Sequence, residues 1–280
     1  MQLITMNKNI IFLYIISLSL LYSCQQGTKT EPIQASQNST QNPIPEAIPL
    51  TYQIIGTLDH DTSAFTQGFV LDQGSLIEGT GLERHTRINK IDTSTAKVEV
   101  LKANYENEVF GEGITILNNK LYQLTYMNNK IYQFDLDNLK QPSGTHSWQK
   151  EGWGLTHDST SLILSDGSSM LYYLNPENMA IIKELKVIDN MGSVDSLNEL
   201  EYVEGYIFAN QWGSDYIYKI DPETGYVVGK ISFEGILQLY DKSFQPDPEK
   251  VLNGIAWDPM NKFMFVTGKN WPLIFKIRIN

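Results

Sequence analysis

One carboxylate, Glu112, stands in a short pattern that recurs along the chain: a polar or aromatic residue, a glycine and an apolar residue. The pattern returns at intervals of 45, 41, 45 and 55 residues, with glutamate in place of glycine in the fourth copy. The first positions are Gln67, Glu112, Trp153, Asn198 and Asn253. If the copies are equivalent, a single acid meets amides and an indole in one small volume.

That combination favours proton-transfer chemistry. A carboxyl group that is partly desolvated by aromatic rings has its pKa raised toward neutral pH, and such a group can give or take a proton. The alternative is a structural Glu112 that accepts backbone N–H bonds inside a channel. Position alone gives the two interpretations equal weight.

The elements that must position these residues also repeat. Five runs alternate polar and apolar residues at a period of two, which indicates half-buried antiparallel strands. They cover residues 87–92, 130–135, 170–175, 216–221 and 273–277. Several short strands repeated every 40 to 55 residues are the signature of a β-propeller. The chain is therefore predicted to be all-β, a five-bladed propeller in which an N-terminal strand, residues 51–58, joins the last blade and closes the ring.

Within each repeat these runs are the third strands, and each is preceded by a second strand. The end of that second strand should border the mouth of the channel. These ends add Tyr126, Trp212 and Lys269 to the candidate site. Trp153 and Trp212 could be core aromatics, but two indoles beside polar residues favour a pocket wall. A lysine at such a position is more often solvated at the surface, but Gly268 before Lys269 and Trp271-Pro272 after it favour a constrained loop. Fourth strands are predicted at 97–102, 180–187 and 226–233, with a weaker one near 145–149, and a short helical turn at 236–241.

The first fifty residues differ in composition from the rest. Residues 1–23 place Lys8 before an apolar run and are typical of a secretory signal peptide. Leu21-Tyr22-Ser23-Cys24 resembles a bacterial lipobox, which predicts lipidation of Cys24, the single cysteine of the chain. A free surface cysteine after an ordinary signal is the alternative. Residues 24–50 are polar and proline-containing, which predicts a disordered tether before a catalytic domain at 51–280. We expect an exported protein that is lipid-anchored to a bacterial cell envelope, in the periplasm or at the outer membrane.

Composition limits the partners and cofactors. The net charge of −11 argues against nucleic acid and against anionic membrane surfaces, since both need clustered Lys and Arg. A membrane contact is expected only through the lipid anchor. The four histidines show no ligand spacing, and one cysteine excludes zinc sites of the cysteine type. We expect no metal in catalysis, although Asp and Asn oxygens in the channel could hold a structural Ca²⁺.

Seven motifs run in order through the predicted domain. They are Phe65-Thr66-Gln67-Gly68, Phe110-Gly111-Glu112-Gly113, Glu151-Gly152-Trp153-Gly154-Leu155, Leu197-Asn198-Glu199-Leu200-Glu201-Tyr202, Asn210-Gln211-Trp212, Leu252-Asn253-Gly254-Ile255-Ala256-Trp257 and Thr267-Gly268-Lys269-Asn270-Trp271-Pro272. At these residues the chain resembles the plant and bacterial type of glutaminyl cyclotransferase, a family of five-bladed propellers.

The resemblance implies conversion of the N-terminal glutamine of peptides and proteins to pyroglutamate, with release of ammonia, by a monomer. It implies Glu112 as the general acid and base. It implies a substrate pocket formed by Phe65, Gln67, Tyr126, Trp153, Asn198, Trp212 and Lys269. Tyr126 stands where a second-blade tryptophan is expected, which bears on side-chain preference and leaves the chemistry intact. Gln67, Asn198 or Lys269 could hold the developing oxyanion.

Two other functions compete with this prediction. A Ca²⁺-dependent lactone hydrolase could use Glu112, Asn198 and Asn253 as ligands, but such propellers usually have six blades. A non-catalytic propeller that binds protein through its loops would tolerate replacement of Glu112. The first alternative predicts loss of activity with a chelator, and the second predicts no product.

Overall fold

The computed structural model describes residues 44–106, 108–240, 242 and 247–280. The predicted signal peptide, the lipidation site at Cys24 and most of the predicted tether lie outside the described residues. Within that part of the chain, no helix has the length and apolarity needed to cross a bilayer.

Five antiparallel sheets follow one another along the chain, each built from the innermost strand outward. We number them as blades one to five in chain order. Blade one contains Thr66–Asp72, Ser75–Thr80, Arg87–Asp92 and Val98–Lys102. Blade two contains Gly111–Leu117, Lys120–Thr125, Lys130–Asp135 and Gly144–Ser147. Blade three contains Leu155–His157, Leu162–Ser165, Met170–Leu174 and Ile181–Lys186.

Blade four contains Leu197–Val203, Tyr206–Gln211, Tyr216–Ile220 and Val227–Ser232. Blade five contains Leu252–Asp258, Phe263–Gly268 and Leu273–Ile279, and its outer strand is the N-terminal Tyr52–Asp59, antiparallel to Leu273–Ile279. A two-stranded hairpin, Ile188–Asp189 with Gly192–Ser193, and one short helix, Ile236–Tyr240, complete the described elements. The predicted all-β, five-bladed propeller is confirmed.

The inner hairpins turn where the sequence permits left-handed backbone. Two-residue loops join the first and second strands of blades one, two and four, at Gln73-Gly74, Asn118-Asn119 and Glu204-Gly205. Both residues of each loop have positive φ, which matches the right-handed twist of the flanking strands. Tight turns of this kind fix the register, so the ends of the second strands fall at fixed places.

The core is divided into five apolar clusters, each shared by two neighbouring blades. Blades four and five share a cluster that includes Phe208, Ile231 and Phe275, and blades one and five share one that includes Phe69 and Phe265. The other three clusters join blades one to two, two to three and three to four. The packing between blades one and five brings the two ends of the blade series together.

The predicted tether extends too far toward the domain. Ala47 is buried, and Ile48–Leu50 forms a parallel strand on the outer edge of blade four, opposite Gly229 to Ile231. A three-residue parallel strand leaves no alternation to detect, because only its partner fixes it. The ordered domain therefore begins before residue 51.

Candidate active site

A β-bulge interrupts the innermost strand at the repeated motif in four of the five blades. The register shifts fall at Gln67, at Glu112 and Gly113, at Asn198 and Glu199, and at Asn253 and Gly254. A bulge bends the strand and redirects the side chain at that point. The same irregularity in these four blades turns their motif residues toward one end of the channel.

The glycine of the motif permits the innermost strands to approach each other. A Cβ atom on Gly68 would lie 2.3 Å from the Ile114 nitrogen, and one on Gly113 would lie 2.5 Å from the Leu155 nitrogen. Gly113 N donates a hydrogen bond of 2.7 Å to the Trp153 carbonyl, which ties blade two to blade three. Glycine is required here because any side chain would separate strands that carry the candidate site.

A cavity of about 290 Å³ opens at this end of the channel. Its lining contains six residues predicted from the sequence, Gln67, Glu112, Tyr126, Trp153, Asn198 and Trp212. The seventh lining residue, Phe110, belongs to a motif but was not among the predicted site residues. Phe110 precedes Glu112 by two positions, as Phe65 precedes Gln67, and that spacing is the signal that could have identified it.

Glu112 lies at the base of the cavity and is only 4% exposed. Its Oε1 accepts a hydrogen bond of 3.0 Å from Gln67 Nε2. Burial raises the pKa of Glu112 well above its usual range; the charge of Lys269 opposes this, and Glu151 adds to it. A carboxyl group in this state can donate a proton at neutral pH and take it back from an amine.

Lys269 is buried beside this carboxyl group rather than solvated. It is 4% exposed, and its Nζ stands 4.7 Å from the centre of the Phe65 ring. Burial lowers the pKa of Lys269 to about 8, while the negative charge of Glu112 acts in the opposite direction. The surface-lysine alternative is therefore wrong. Phe65 and Lys269, both predicted as site residues, contact each other but are not among the residues that line the cavity.

Aromatic rings form two walls above the acid. On one side Phe110 makes an edge contact with Phe65, 6.2 Å between centroids, and a tilted contact with Tyr126 at 5.7 Å. On the other side Trp153 and Trp212 meet at 84° with centroids 6.4 Å apart. Trp212 is 51% exposed and forms the rim. The cavity is therefore narrow, apolar at its sides and polar at its base.

Amide side chains hold the base of the cavity in a fixed orientation. Asn253 Nδ2 donates to the Thr66 carbonyl at 2.9 Å and to Gln67 Oε1 at 3.4 Å, so Gln67 presents its NH₂ group to Glu112. Asn198 is buried, and its Oδ1 has no hydrogen-bond partner within the described part of the chain. Asn198 lines the cavity, and this buried oxygen is an acceptor without a partner among the described residues.

Glu151 is a further site residue that the sequence did not reveal. Its Oε2 accepts a hydrogen bond of 2.9 Å from Trp153 Nε1, and its charge acts on both Glu112 and Tyr126. Glu151 precedes Trp153 by two residues, so the same spacing applies as for Phe110. It fixes the indole that forms the wall.

The structural-acid interpretation considered for Glu112 applies to Glu199 instead. Glu199 occupies the glycine position of the fourth motif and is fully buried. Its carboxylate accepts hydrogen bonds from Phe69 N at 3.2 Å and Ile255 N at 2.9 Å, which connects blade four to blades one and five. Burial raises the pKa of Glu199 well above its usual range, and the negative charge of Glu201 raises it further. Glu112 has no backbone donor of this kind among the described residues.

No group of three or more His, Cys, Asp or Glu side chains that could hold a metal ion occurs in residues 44–106, 108–240, 242 and 247–280. The site is therefore described by its organic groups: a protonatable carboxyl, a buried amine, amides and five aromatic rings. Such a set can bind a small polar group between aromatic walls and move protons at its base.

Comparisons with known proteins show which proteins this chain is similar to. The model of the family described as glutamine cyclotransferase matches residues 27–279. A curated glutaminyl-peptide cyclotransferase from Arabidopsis thaliana is 38% identical over 228 residues, which is 81% of this chain and 71% of the relative. The crystal structure of Myxococcus xanthus glutaminyl cyclase is similar with a TM-score of 0.75 and 34% identity, over 84% of this chain and 99% of that one.

Proposed function

The chain belongs to the glutamine cyclotransferase family, and we propose that it cyclises the N-terminal glutamine of peptides to pyroglutamate with Glu112 as the general acid and base. The observation that carries this proposal is the buried carboxyl group of Glu112, hydrogen-bonded to Gln67 at the base of an aromatic cavity. The family gives the overall reaction, an aminoacyl transfer that releases ammonia. The geometry supports the part that each side chain takes in it.

Substrate folding is the first requirement. The α-amine and the γ-carbonyl carbon of the glutamine must meet, although the free side chain samples many extended conformations. A cavity of about 290 Å³ between the Phe110 and Trp153 walls accommodates a folded glutamine and disfavours extended ones. Holding the reacting atoms in this way converts a rare conformer into the bound one.

Proton transfer is the second requirement. The attacking nitrogen forms a bond to the γ-carbon and then carries an excess proton, while the leaving nitrogen must gain one before the carbon–nitrogen bond breaks. Ionised Glu112 accepts the first proton and, once protonated, donates it to the departing ammonia. Because the pKa of Glu112 is raised, it lies closer to the pKa of the substrate amine, which is about 8. Neither proton transfer is therefore strongly uphill.

The remaining polar groups stabilise the intermediate. Lys269 is the buried cation of the site, and we assign its ammonium to the developing oxyanion. Gln67 already donates to Glu112, so its part is to orient the acid. Asn198 lines the same cavity, and we assign its amide to the orientation of the bound glutamine.

Replacement of Glu112 tests this function. We expect Glu112→Gln to lower kcat about 10²- to 10⁴-fold on a peptide that begins with glutamine, because the amide retains the shape but carries no transferable proton. The measurement is the mass loss of one ammonia, followed with a chelator present because the proposed mechanism uses no metal. Glu184→Gln removes the same charge from an exposed outer strand and serves as the control. A folded Glu112→Gln variant with an unchanged rate would remove Glu112 from the mechanism.

We further propose that the enzyme is exported and lipid-anchored through Cys24, on the strength of the signal-like composition of residues 1–23 and the lipobox-like Leu21 to Cys24. Substrates would then be exported peptides and proteins with N-terminal glutamine. Metabolic labelling with a palmitate analogue, followed by membrane fractionation, is expected to mark the wild-type chain. Cys24→Ser is expected to lose the label and enter the soluble fraction; equal labelling of both would contradict the anchor.

A further inference from the structure

A second cavity lies beside the candidate active site, on blade one. It has a volume of about 280 Å³ and is lined by Ser63, Arg84, His85, Thr86, Arg87, Ala103, Asn104 and Tyr105. The residues come from the connection between the second and third strands of blade one and from the segment that leads into blade two. None of them takes part in the proposed cyclisation.

The lining of this second cavity is cationic in an acidic protein. The chain has a net charge of −11 and three arginines, and two of them, Arg84 and Arg87, line the cavity. Arg87 Nη2 pairs with Asp61 Oδ2 at 3.2 Å and donates to Ser63 Oγ at 3.2 Å. Its Nε is buried without a partner within the described ranges. Arg84 forms no ion pair there and is exposed, so one acid balances two guanidinium groups.

The two cavities share a wall. Thr86 lines the second cavity, and its Oγ1 donates to the Val109 carbonyl at 2.8 Å and accepts from Gly111 N at 2.9 Å. Phe110, between these two residues, lines the active-site cavity. The two linings are therefore adjacent in space, separated by the Val109 to Gly111 backbone that Thr86 contacts.

The loop that carries Arg84 is held in an unusual conformation. Leu82 and Arg84 both have positive φ, 71° and 65°, which side-chain-bearing residues seldom adopt. His85 N donates to the Leu82 carbonyl at 3.0 Å, and a Cβ on Gly81 would stand 2.5 Å from Phe110. The loop is thus packed on the wall of the active site. Strained backbone conformations of this kind are retained mainly where the position of a side chain matters for function.

We propose that this second cavity binds the carboxylate of an acidic side chain at the second or third residue of the peptide substrate. The inference rests on the cyclotransferase activity proposed above. We place the side chains of the second and third residues there, because an extended chain advances about 3.5 Å per residue and the two linings adjoin at Thr86 and Phe110. Guanidinium groups bind carboxylates through paired, charge-assisted hydrogen bonds. The enzyme therefore prefers acidic sequences after glutamine.

Matched peptides test the preference with the full-length protein. The pairs are Gln-Glu-Ala-Ala and Gln-Gln-Ala-Ala, and Gln-Ala-Glu-Ala and Gln-Ala-Gln-Ala, all with an amidated C-terminus. We expect about tenfold higher kcat/KM for the acidic member of at least one pair, mostly through KM, and a smaller ratio in 0.5 M salt, which screens the contact. Gln-Ala-Ala-Ala with a free C-terminus tests the other source of a carboxylate. A preference for that peptide alone would overturn the side-chain assignment.

Variants locate the effect. Arg84→Gln is expected to bring the ratio of acidic to neutral peptide close to one, and Arg84→Glu is expected to bring it below one. Arg278→Gln removes the remaining arginine, an exposed residue on the last strand of blade five, and is expected to keep the wild-type ratio. Equal rates on acidic and neutral peptides by an active wild-type enzyme overturn this subsite alone. Absence of cyclisation of every peptide by folded protein overturns the proposed function itself.

Discussion

Glu112 and Lys269 exert opposite effects on each other's protonation. The ammonium lowers the pKa that burial has raised at Glu112, and the carboxylate raises the pKa that burial has lowered at Lys269. Each group therefore sets the pH range in which the other can work. The pair differs from an ordinary ion pair because both members are buried and burial disfavours the charged form of each.

Removal of Lys269 should reveal this dependence in the pH profile. In Lys269→Met the charge that favours ionised Glu112 is absent, so the pKa of Glu112 rises further. Ionised Glu112 accepts the proton from the substrate, hence the ascending limb of kcat/KM is expected to move to higher pH by roughly one unit. The titration of the substrate amine is the same for both enzymes, so a moved limb reports on the protein.

Lys97→Met removes an exposed lysine of blade one and controls for the change in net charge. Its profile is expected to coincide with that of the wild type. If the Lys269→Met profile also coincides, after scaling for its lower rate, the electrostatic coupling of Lys269 to Glu112 is refuted.

At the scale of elements, the sequence was sufficient where the pattern is local and repeated. Alternation at a period of two predicted the third strands of all five blades within a few residues, because a half-buried strand imposes that alternation directly. The motif residues were placed together correctly because equivalent strands in equivalent blades have equivalent directions. Gln67, Glu112, Trp153 and Asn198 line one cavity for that reason.

The features that could not be predicted depend on contacts between blades. Lys269 was predicted as a site residue only through the family resemblance, because its contact with Phe65 crosses the boundary of blades one and five and leaves no local pattern. Glu199 stands in a glycine position, and its partners Phe69 N and Ile255 N belong to two other blades. Ile48–Leu50 is a strand only because blade four offers an edge. The sequence of a single strand does not reveal which residues of other blades it will contact.

For the whole molecule, buried acids make stability dependent on pH. Glu201, next to the channel in blade four, accepts hydrogen bonds from Trp257 N at 2.9 Å and from Thr156 Oγ1 at 3.3 Å. Burial nevertheless raises its pKa from 4.5 to about 8. Glu112 and Glu199 have raised pKa values for the same reason. Other acids have lowered pKa values, which act on stability in the opposite direction. At Asp158, desolvation raises the pKa, but hydrogen bonds from Thr160 and Ser161 outweigh it and lower the pKa.

The sign of the effect at Glu201 follows from proton linkage. Above pH 4.5 the unfolded chain releases this proton, whereas the folded chain retains it up to about pH 8. The folded state therefore binds more protons in this window, and the free energy of unfolding falls as pH rises through it, by at most about 1.4 kcal/mol per pH unit for one group. Glu201 therefore makes its full contribution to the free energy of unfolding below pH 4.5, and that contribution is lost as the pH rises to about 8.

We expect Glu201→Gln to flatten the stability profile across that window. Glutamine keeps an oxygen for Trp257 N and can donate to Thr156, but it has no proton to release, so the difference in unfolding free energy between pH 5 and pH 8 should shrink by on the order of 1–3 kcal/mol. Urea unfolding at pH 5, 6.5 and 8 measures it, with Glu223→Gln on the exposed surface as the control. Glu112 and His60 remain in both proteins, so their titration cancels in the comparison, whereas loss of the Glu201 charge lowers the pKa of Glu199 and flattens the profile in the same direction. Parallel profiles for wild type and Glu201→Gln would show that Glu201 is ionised in the folded protein throughout the range, and that the water-excluding packing of blade four against blade five is looser than the structure indicates.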